Sequence, residues 1–472
     1  MSSQHDVEQF LEEITFRDRI ATVDEHGKRR WIYPKKPSGR FYKWRSYLSW
    51  LLLAFLFGAP FITLNGEQLL LFNILERKFV IFGITFWPQD FHLFVLSMIA
   101  AIVAIFLFTA VYGRIFCGWI CPQTIFMEMV FRKIEYLIEG DAHAQRALNA
   151  QPWTPDKISK KALKIGIFYA LSFFIGNIFL AYIIGVEELG RIVSSPPGEH
   201  LGGFIAMLLF SGAFFFVFSW FREQACVLVC PYGRLQSVLL DENSVVISYD
   251  FKRGEPRKKY RKDEARDDAG HCVDCHQCVV VCPTGIDIRN GTQLECVNCT
   301  ACIDACDNVM DKVGYPRGLI RYASHRSIES GDTRIVTPRI IGYSVVLLLL
   351  LGVIAFLFLS RTDVEATILR APGTLYIMQG QDTVRNLFTL KVVNKTRENL
   401  PLKLVLMDHS GTLSVVGNQT IFAKASGLAE NAFFIDMPLA KLRGMKTPVR
   451  IGLYSGDRLL ETVETGFMGP AR

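Results

Sequence analysis

Eight cysteines between residues 272 and 306 have the spacing of iron-sulfur ligands. The first run reads C-x2-C-x2-C-x3-C-P and the second repeats the cysteines without the final proline. Iron in a 4Fe-4S cluster takes thiolate ligands, and in two-cluster ferredoxins the fourth cysteine of each run binds the other cluster. We therefore predict one cluster on Cys272, Cys275, Cys278 and Cys306, and a second on Cys296, Cys299, Cys302 and Cys282.

Zinc and haem are the alternative occupants of these cysteines. Zinc takes four ligands per ion and does not call for interleaved x2-x2-x3 runs. Cys272, Cys275 and His276 also match the C-x-x-C-H pattern of covalent haem, but both cysteines already belong to the ferredoxin run. Two 4Fe-4S clusters fit the spacing better, and they indicate electron transfer.

The remaining four cysteines form two Cys-x-x-x-Cys-Pro motifs, each following an apolar stretch and an arginine, which indicates a duplicated two-helix unit. Thiols four residues apart share one face of a helix, although the proline requires a helix start or break. Soft thiolates suit Cu(I) or a further iron-sulfur site, whereas the alternative is a buried pair of small apolar side chains. The candidate copper or redox residues are Cys117, Cys121, Cys226 and Cys230.

The elements that position these cysteines are predicted to be membrane helices. Half of the 472 residues are hydrophobic and the mean hydropathy is +0.25, which fits poorly with a soluble protein. Uncharged stretches of about twenty residues match the length that a helix needs to cross a bilayer. Five such stretches are present, at residues 46–66, 91–112, 165–186, 201–221 and 340–360.

The distribution of basic residues predicts the orientation. Lys and Arg are frequent before the first span and between spans two and three, whereas the loop between spans three and four has only Arg191. The N-terminus, which is too polar for a signal peptide, is therefore predicted to be cytoplasmic, as are all twelve cysteines, which disfavours disulfides. The net charge of +7 is attributed to these loops, so no nucleic-acid partner is predicted.

The predicted fold class is a multi-domain membrane protein with a bundle of five transmembrane helices. Residues 1–45 form a cytoplasmic segment, and residues 46–240 a four-helix membrane region that contains both Cys-x-x-x-Cys-Pro motifs. Residues 241–338 are an inserted ferredoxin-like α+β module, followed by the fifth helix at 339–360. Residues 361–472 alternate short apolar runs with turn residues, which is typical of an immunoglobulin-like β-sandwich.

With these motifs in place, the chain closely resembles the CcoG family, also called FixG or RdxA, accessory proteins of cbb-type cytochrome c oxidases. Besides the cysteine motifs, residues 36–41 (KPSGRF) and 315–320 (YPRGLI) contribute to the resemblance. It implies a bacterial inner-membrane protein with a periplasmic immunoglobulin-like domain. It also implies a cupric reductase that supplies Cu(I) for oxidase assembly, with copper ions or a copper chaperone and oxidase assembly factors as partners.

Two other functions stay open at this point. The chain is also similar to NapH and NosR-type membrane ferredoxins, which would make it a quinol-linked electron-transfer subunit. It could instead be a non-catalytic scaffold for oxidase assembly. The cytoplasmic electron donor is not identified by the sequence, and a homo-oligomer is left open.

Overall fold

The computed structural model describes residues 22–470 except 24–25, 27, 65, 75–77, 88–89, 261–267, 374, 381, 397, 409–410, 419–420 and 426. Most of the predicted N-terminal segment therefore lies outside the described residues. The chain forms two compact units. The first unit contains Met1–Phe61 and Leu96–Gly352, and the second contains Ile62–Val95 and Val353–Arg472.

Long apolar helices dominate the first unit. Among the described residues, four helices are long and apolar enough to cross a membrane: Phe91–Tyr112, Pro155–Ile184, Leu201–Phe221 and Pro338–Leu359. They match four of the five predicted spans. The remaining stretch, 46–66, starts inside helix Arg40–Gly58 and continues into the 3-10 turn Ala59–Phe61. The first two turns of this helix carry three basic residues. A fifth crossing therefore stays a prediction.

Short helices connect the long ones in the first unit. Pro122 and Pro231 each occupy the first position of a helix, where a missing N–H costs nothing. The α-helical connectors are Ile115–Trp119, Pro122–Ile125, Arg132–Ile138, Ala142–Ala150, Val186–Ser194 and Pro231–Leu239. Three π-helical stretches, a form often found at functional sites, are Phe126–Phe131, Val217–Phe221 and Ala225–Val229.

The ferredoxin-like segment is built on a two-stranded antiparallel sheet. Strands β6 (Val246–Tyr249) and β7 (Ile320–Ala323) enclose all eight ferredoxin cysteines along the chain. Helix Ala301–Val313 packs on this sheet, and Met310 and Ile247 are each 1% exposed in the shared core. In the described part of this segment, four shorter helical stretches lie at Phe251–Gly254, Gln277–Val280, Ile288–Asn290 and His325–Glu329.

The C-terminal part of the second unit is a β-sandwich, as the alternating apolar runs predict. One sheet has the strand order β12-β14-β10-β8 with β9 also paired to β10, and the other has the order β13-β11-β15-β16. Phe388, Phe433 and Phe467 are fully buried in the shared core. The strands are β8 (Val364–Arg370), β9 (Ile377–Gln379), β10 (Thr383–Asn394), β11 (Leu400–Leu406), β12 (Thr412–Val415), β13 (Ile421–Ala423), β14 (Gly427–Pro438), β15 (Lys446–Ser455) and β16 (Arg458–Met468).

The second unit also includes the loop region that follows the first helix. It contains two small antiparallel sheets, one of β1 and β2 and one with the order β3-β4-β5. The grouping of Ile62–Val95 with the sandwich was not predicted from the sequence. These strands are β1 (Thr63–Leu64), β2 (Glu67–Gln68), β3 (Leu70–Asn73), β4 (Lys78–Ile81) and β5 (Ile84–Phe86).

Asp90 joins this loop region to the sandwich. Its carboxylate is 3% exposed and lies 2.6 Å from the Arg361 guanidinium and 2.7 Å from the Lys395 ammonium. Burial alone would raise the pKa of Asp90, but the hydrogen bond from Lys395 and the charges of Arg361 and Lys395 lower it below its ordinary value. The ion pairs are thus formed at neutral pH.

A lowered pKa makes the second unit acid-sensitive. The stability that ionised Asp90 contributes is complete above the pKa of an unfolded aspartate and is lost as the pH falls through the folded-state value. We expect Asp90→Asn to cost about 2 kcal/mol at pH 7, since it removes charge-assisted hydrogen bonds, and to flatten the acid limb of the stability profile. Thermal denaturation of the full chain between pH 7 and 3 measures both effects. Asp457→Asn, at an exposed turn position of the same unit, is the control.

Candidate redox site

The eight ferredoxin cysteines line two adjoining cavities. The first cavity is lined by Cys282, Cys296, Cys299 and Cys302, with Ile247 and Ile286 among its apolar walls. The second is lined by Cys272, Cys275, Cys278 and Cys306, together with residues such as Tyr249 and Met310, and Cys278 borders both. In each cavity the fourth cysteine of one run joins three from the other. This grouping coincides with the two ligand sets predicted from the spacing, and the donor set suits iron-sulfur clusters.

The two runs wrap their cavities with the same backbone turn. Asp274 and His276 in the first run, and Asn298 and Thr300 in the second, have φ between 49° and 66°. Non-glycine residues seldom adopt this left-handed region. They occupy matching positions, two and four residues after the first cysteine of each run. The repeated turn curves each short loop so that three thiols border one cavity.

Burial raises the pKa values of four thiols in these runs. The pKa is raised to about 12 for Cys278, Cys296 and Cys306 and to about 11 for Cys299, in each case because burial disfavours the thiolate. Metal binding requires deprotonated thiolates and releases their protons. These cysteines would therefore ionise at neutral pH only beside bound cations, and the iron of a cluster supplies that positive charge.

The two Cys-x-x-x-Cys-Pro motifs do not form continuous helices. Cys117 lies in helix Ile115–Trp119, whereas Cys121 and Cys230 have ψ values of 123° and 111° and stand immediately before the next helix. A residue before proline is disfavoured in the α region, so the helix breaks at the second cysteine of each motif. The requirement for a break at the proline is therefore confirmed, and the shared face of each thiol pair stays a prediction.

The four thiols of these motifs nevertheless share one neighbourhood. Burial raises the pKa of Cys117 to about 11 and that of Cys226 to about 12, and Cys121 and Cys230 act electrostatically on both. Within the part of the chain that the structure describes, no three Cys, His, Asp or Glu side chains converge at the distance of a single-ion site. The motifs from the two repeats are thus close enough for their thiols to interact electrostatically.

The first motif lies directly against the loop of the second ferredoxin run. A Cβ atom on Gly118 would lie 2.6 Å from the Val297 carbonyl oxygen and 2.5 Å from that of Asn298. Cys117 packs with Val297 and Cys299 in one apolar cluster. The absence of a side chain at Gly118 therefore allows the backbone of the motif to touch the loop between two predicted cluster ligands.

Replacing Gly118 by alanine tests this contact. Both opposing atoms are backbone oxygens, so we expect the loop to be displaced and the unfolding free energy to fall by about 1–3 kcal/mol. Gly342→Ala is the matched control, because Gly342 is also helical and has nothing within 4 Å of the added methyl. Denaturation of the full chain should show a loss for the first variant only. Equal stability of both variants would contradict the contact.

Arg114 connects the same elements from the other side. Its side chain is 5% exposed and donates to the Gln236 side-chain oxygen at 2.6 Å and to the Gly233 carbonyl at 2.8 Å, both just after the second motif. It also donates to the carbonyls of Leu294 and Cys296 in the ferredoxin segment. The arginine before the motif was noticed in the sequence, but its role in joining three segments was not.

A buried network of charged side chains supports the second motif. Glu223, three residues before Cys226, is 1% exposed and lies 3.0 Å from Arg29 and 3.7 Å from Arg132. Arg132 is also 3.1 Å from Glu128. Arg222, with φ of 49°, donates to Glu135 at 2.6 Å. This network was not predicted from the sequence. The charged residues next to the apolar spans were the only sequence feature that could have indicated it.

The apolar helices, the cysteine-lined cavities and the terminal sandwich define a membrane-associated iron-sulfur electron-transfer protein. Three family models agree with this class. Residues 221–325 match a 4Fe-4S dicluster domain, residues 94–139 a 4Fe-4S binding domain, and residues 354–470 the Ig-like fold at the C-terminus of FixG.

The chain belongs to the FixG/RdxA family. The nitrogen fixation protein FixG of Rhizobium meliloti is 33% identical over 438 residues, covering 83% of this chain and 82% of FixG. RdxA of Cereibacter sphaeroides is 33% identical over 452 residues, covering 89% of this chain and 93% of RdxA. RdxB of the same organism is 33% identical over 429 residues, covering 85% of this chain and 89% of RdxB.

Proposed function

We propose that this protein reduces Cu(II) to Cu(I) in the bacterial inner membrane and thereby supplies copper for the assembly of a cbb-type cytochrome c oxidase. The observation that carries the proposal is the contact of Gly118 with Val297 and Asn298. It puts a pair of soft thiols beside the loop of a cysteine-lined cavity. An electron carrier and a candidate copper site are thus neighbours within one unit.

The first part of the proposal is the assignment of the cluster ligands. Cys272, Cys275, Cys278 and Cys306 would hold one 4Fe-4S cluster and Cys282, Cys296, Cys299 and Cys302 the other, in agreement with the two cavities. Bound 4Fe-4S clusters accept and release single electrons. Cys275 of the first ligand set is exposed, so we place the approach of a cytoplasmic electron donor at this residue.

The second part concerns copper as the substrate. Each Cu(II) takes one electron and becomes Cu(I), which soft thiolate ligands select over harder ions. Cys117, Cys121, Cys226 and Cys230 provide four thiols that interact electrostatically, and Arg114 places a positive charge near Cys117. The thiols would therefore favour the reduced product.

The third part is the location of the domains. Basic residues flank the predicted cytoplasmic ends of the spans, as is typical of loops that remain inside. We propose a cytoplasmic ferredoxin-like segment and a periplasmic β-sandwich, with helix Arg40–Gly58 as a fifth crossing. A copper chaperone or oxidase assembly factors would then meet the protein at the membrane.

The choice of electron acceptor tests the function. The full chain is purified anaerobically in detergent, its iron and sulfide are counted, and it is reduced with limiting dithionite and desalted. Separate samples are mixed with Cu(II) plus a Cu(I) chelator or with a short-chain quinone. We expect Cu(II) to restore the visible absorbance of the oxidised protein while the Cu(I) complex forms. Reoxidation by quinone alone would instead favour a quinol-linked subunit, and no reaction with either acceptor would favour a scaffold.

A further inference from the structure

Helix Arg40–Gly58 leaves one face exposed along its whole length. The exposed positions recur at intervals of three and four residues, whereas Arg45, Ser49 and Leu53 on the opposite face are buried. The exposed residues change in chemistry along the helix, from basic to aromatic to apolar. In chain order they are Arg40, Lys43, Trp44, Tyr47, Trp50, Leu51, Ala54 and Phe55.

A cavity lies beside the first two turns of this face. It is open to solvent, and its walls include Arg40, Lys43, Trp44 and Tyr47 together with Asn308 of the ferredoxin-like segment. Trp44 is 63% exposed and Tyr47 is 67% exposed. Two cationic side chains and two amphipathic rings therefore border one open cavity.

The cations of this cavity are available to an external anion. Among the residues that the structure describes, neither Arg40 nor Lys43 is within ion-pair distance of a carboxylate. The acidic side chain at the start of the helix, Asp304, is 4% exposed and accepts the backbone N–H groups of Phe41 and Tyr42 at 3.1 and 2.8 Å. Its charge is thus occupied in capping the helix rather than in neutralising the two cations.

We propose that this face binds an anionic phospholipid, with the phosphate at Arg40 and Lys43 and the acyl chains along Leu51 and Phe55. Trp and Tyr are enriched at the membrane–water interface, where their amphipathic rings fit, and basic cavities beside membrane helices bind lipid headgroups. Lys43 and Tyr47 are about 6 Å apart along the helix axis, comparable to the headgroup layer of one leaflet, about 5–8 Å thick. Along the helix, basic, aromatic and apolar residues follow one another in the same order as the phosphate, the interfacial region and the acyl chains of a phospholipid.

The opposite flank of the same helix repeats this chemistry. A second open cavity is lined by Lys36, Tyr42, Lys133, Tyr136 and Leu137. Leu137 is 86% exposed, so an apolar side chain again borders cationic and aromatic groups. The first turns of helix Arg40–Gly58 thus lie at the level of lipid headgroups on both sides.

Lipid binding by the full chain tests the proposal. The protein in a neutral detergent is titrated with dioleoylphosphatidylglycerol, with dioleoylphosphatidylcholine or with inorganic phosphate, and retained molecules are counted by native mass spectrometry. We expect retention of phosphatidylglycerol in preference to the zwitterionic lipid. Arg40→Gln/Lys43→Gln should weaken it about thirtyfold, since each basic group near anionic lipid contributes about a factor of five.

Two further variants make the result decisive. Arg40→Lys/Lys43→Arg keeps both charges and should retain the lipid, whereas Lys259→Gln/Lys312→Gln removes two charges from exposed positions elsewhere and should leave binding within twofold of the unmodified chain. Equal retention of both lipids, an equal loss in the Lys259 and Lys312 variant, or displacement of the lipid by inorganic phosphate at similar concentration would each overturn the proposal.

Discussion

Replacing Cys117 and Cys226 together by serine is expected to lower Cu(II) reduction by about a hundredfold or more, as loss of groups that contact the reacting species does. Serine keeps the size of the side chain but removes the soft ligand. Neither Cys117 nor Cys226 lines the cavities of the ferredoxin cysteines. The iron content and the visible absorbance of the chain should therefore be unchanged. Cu(I) formation is followed with a chelator, and iron is counted in the same preparation.

The control for this variant is Ser211→Ala, which changes a buried small side chain in helix Leu201–Phe216 outside both motifs. It should reduce copper at the rate of the unmodified chain. If the double cysteine variant retained that rate, the thiols would not take part in reduction. If it lost iron as well as activity, the two sites would not be separable as the cavities indicate.

The largest effect on stability is expected at Arg132. Its side chain is 2% exposed and lies between Glu128 at 3.1 Å and Glu223 at 3.7 Å. Burial alone would lower the pKa of Arg132, but the two carboxylates raise it, so the guanidinium stays charged. Arg132→Met would leave two buried carboxylates without this partner, and the unfolding free energy should fall by about 3–5 kcal/mol.

An exposed ion pair provides the comparison for Arg132. The Arg450 side chain is 61% exposed and pairs with Asp408 at 3.0 Å. Because solvent screens such pairs, Arg450→Met should cost less than about 1 kcal/mol. Denaturation of both full-length variants measures the difference. Similar losses for the two substitutions would show that the buried network contributes no more than a surface pair.

Local sequence patterns predicted the parts of this molecule that depend on neighbours along the chain. The x2 and x3 cysteine spacings predicted two sets of four thiols, and each set borders one cavity, with Cys278 bordering both. The backbone of a short loop limits where its side chains can point, whereas the assignment of these thiols as cluster ligands stays a prediction. Apolar stretches predicted four long helices, and alternating residues such as those of β10 and β14 predicted the sandwich. Each of these patterns is confined to one element or one loop.

Contacts between distant segments were not predictable in the same way. Arg114 bonds to carbonyls about 120 and 180 residues away, and Asp304 caps a helix that starts more than 260 residues earlier. No periodicity or spacing encodes such pairings. The exposed face of helix Arg40–Gly58 was likewise not predicted, because the residues that cover its other face come from distant parts of the chain. The cysteine spacing identified the motifs along the chain, and these long-range contacts position the motifs relative to one another.

The central claim is that the reduced protein passes electrons to copper through the four cysteines of the Cys-x-x-x-Cys-Pro motifs. The most direct test counts Cu(I) formed per chain when reduced, desalted protein meets excess Cu(II) without any other reductant. We predict about two Cu(I) per chain beyond the number formed by the same protein with oxidised clusters, which subtracts the electrons from thiol oxidation and leaves one electron from each 4Fe-4S centre. No such excess should form when Cys117, Cys121, Cys226 and Cys230 are all serine. An equal count at an equal rate in that variant, or an unmodified chain that stays reduced beside unreacted Cu(II), would contradict the account.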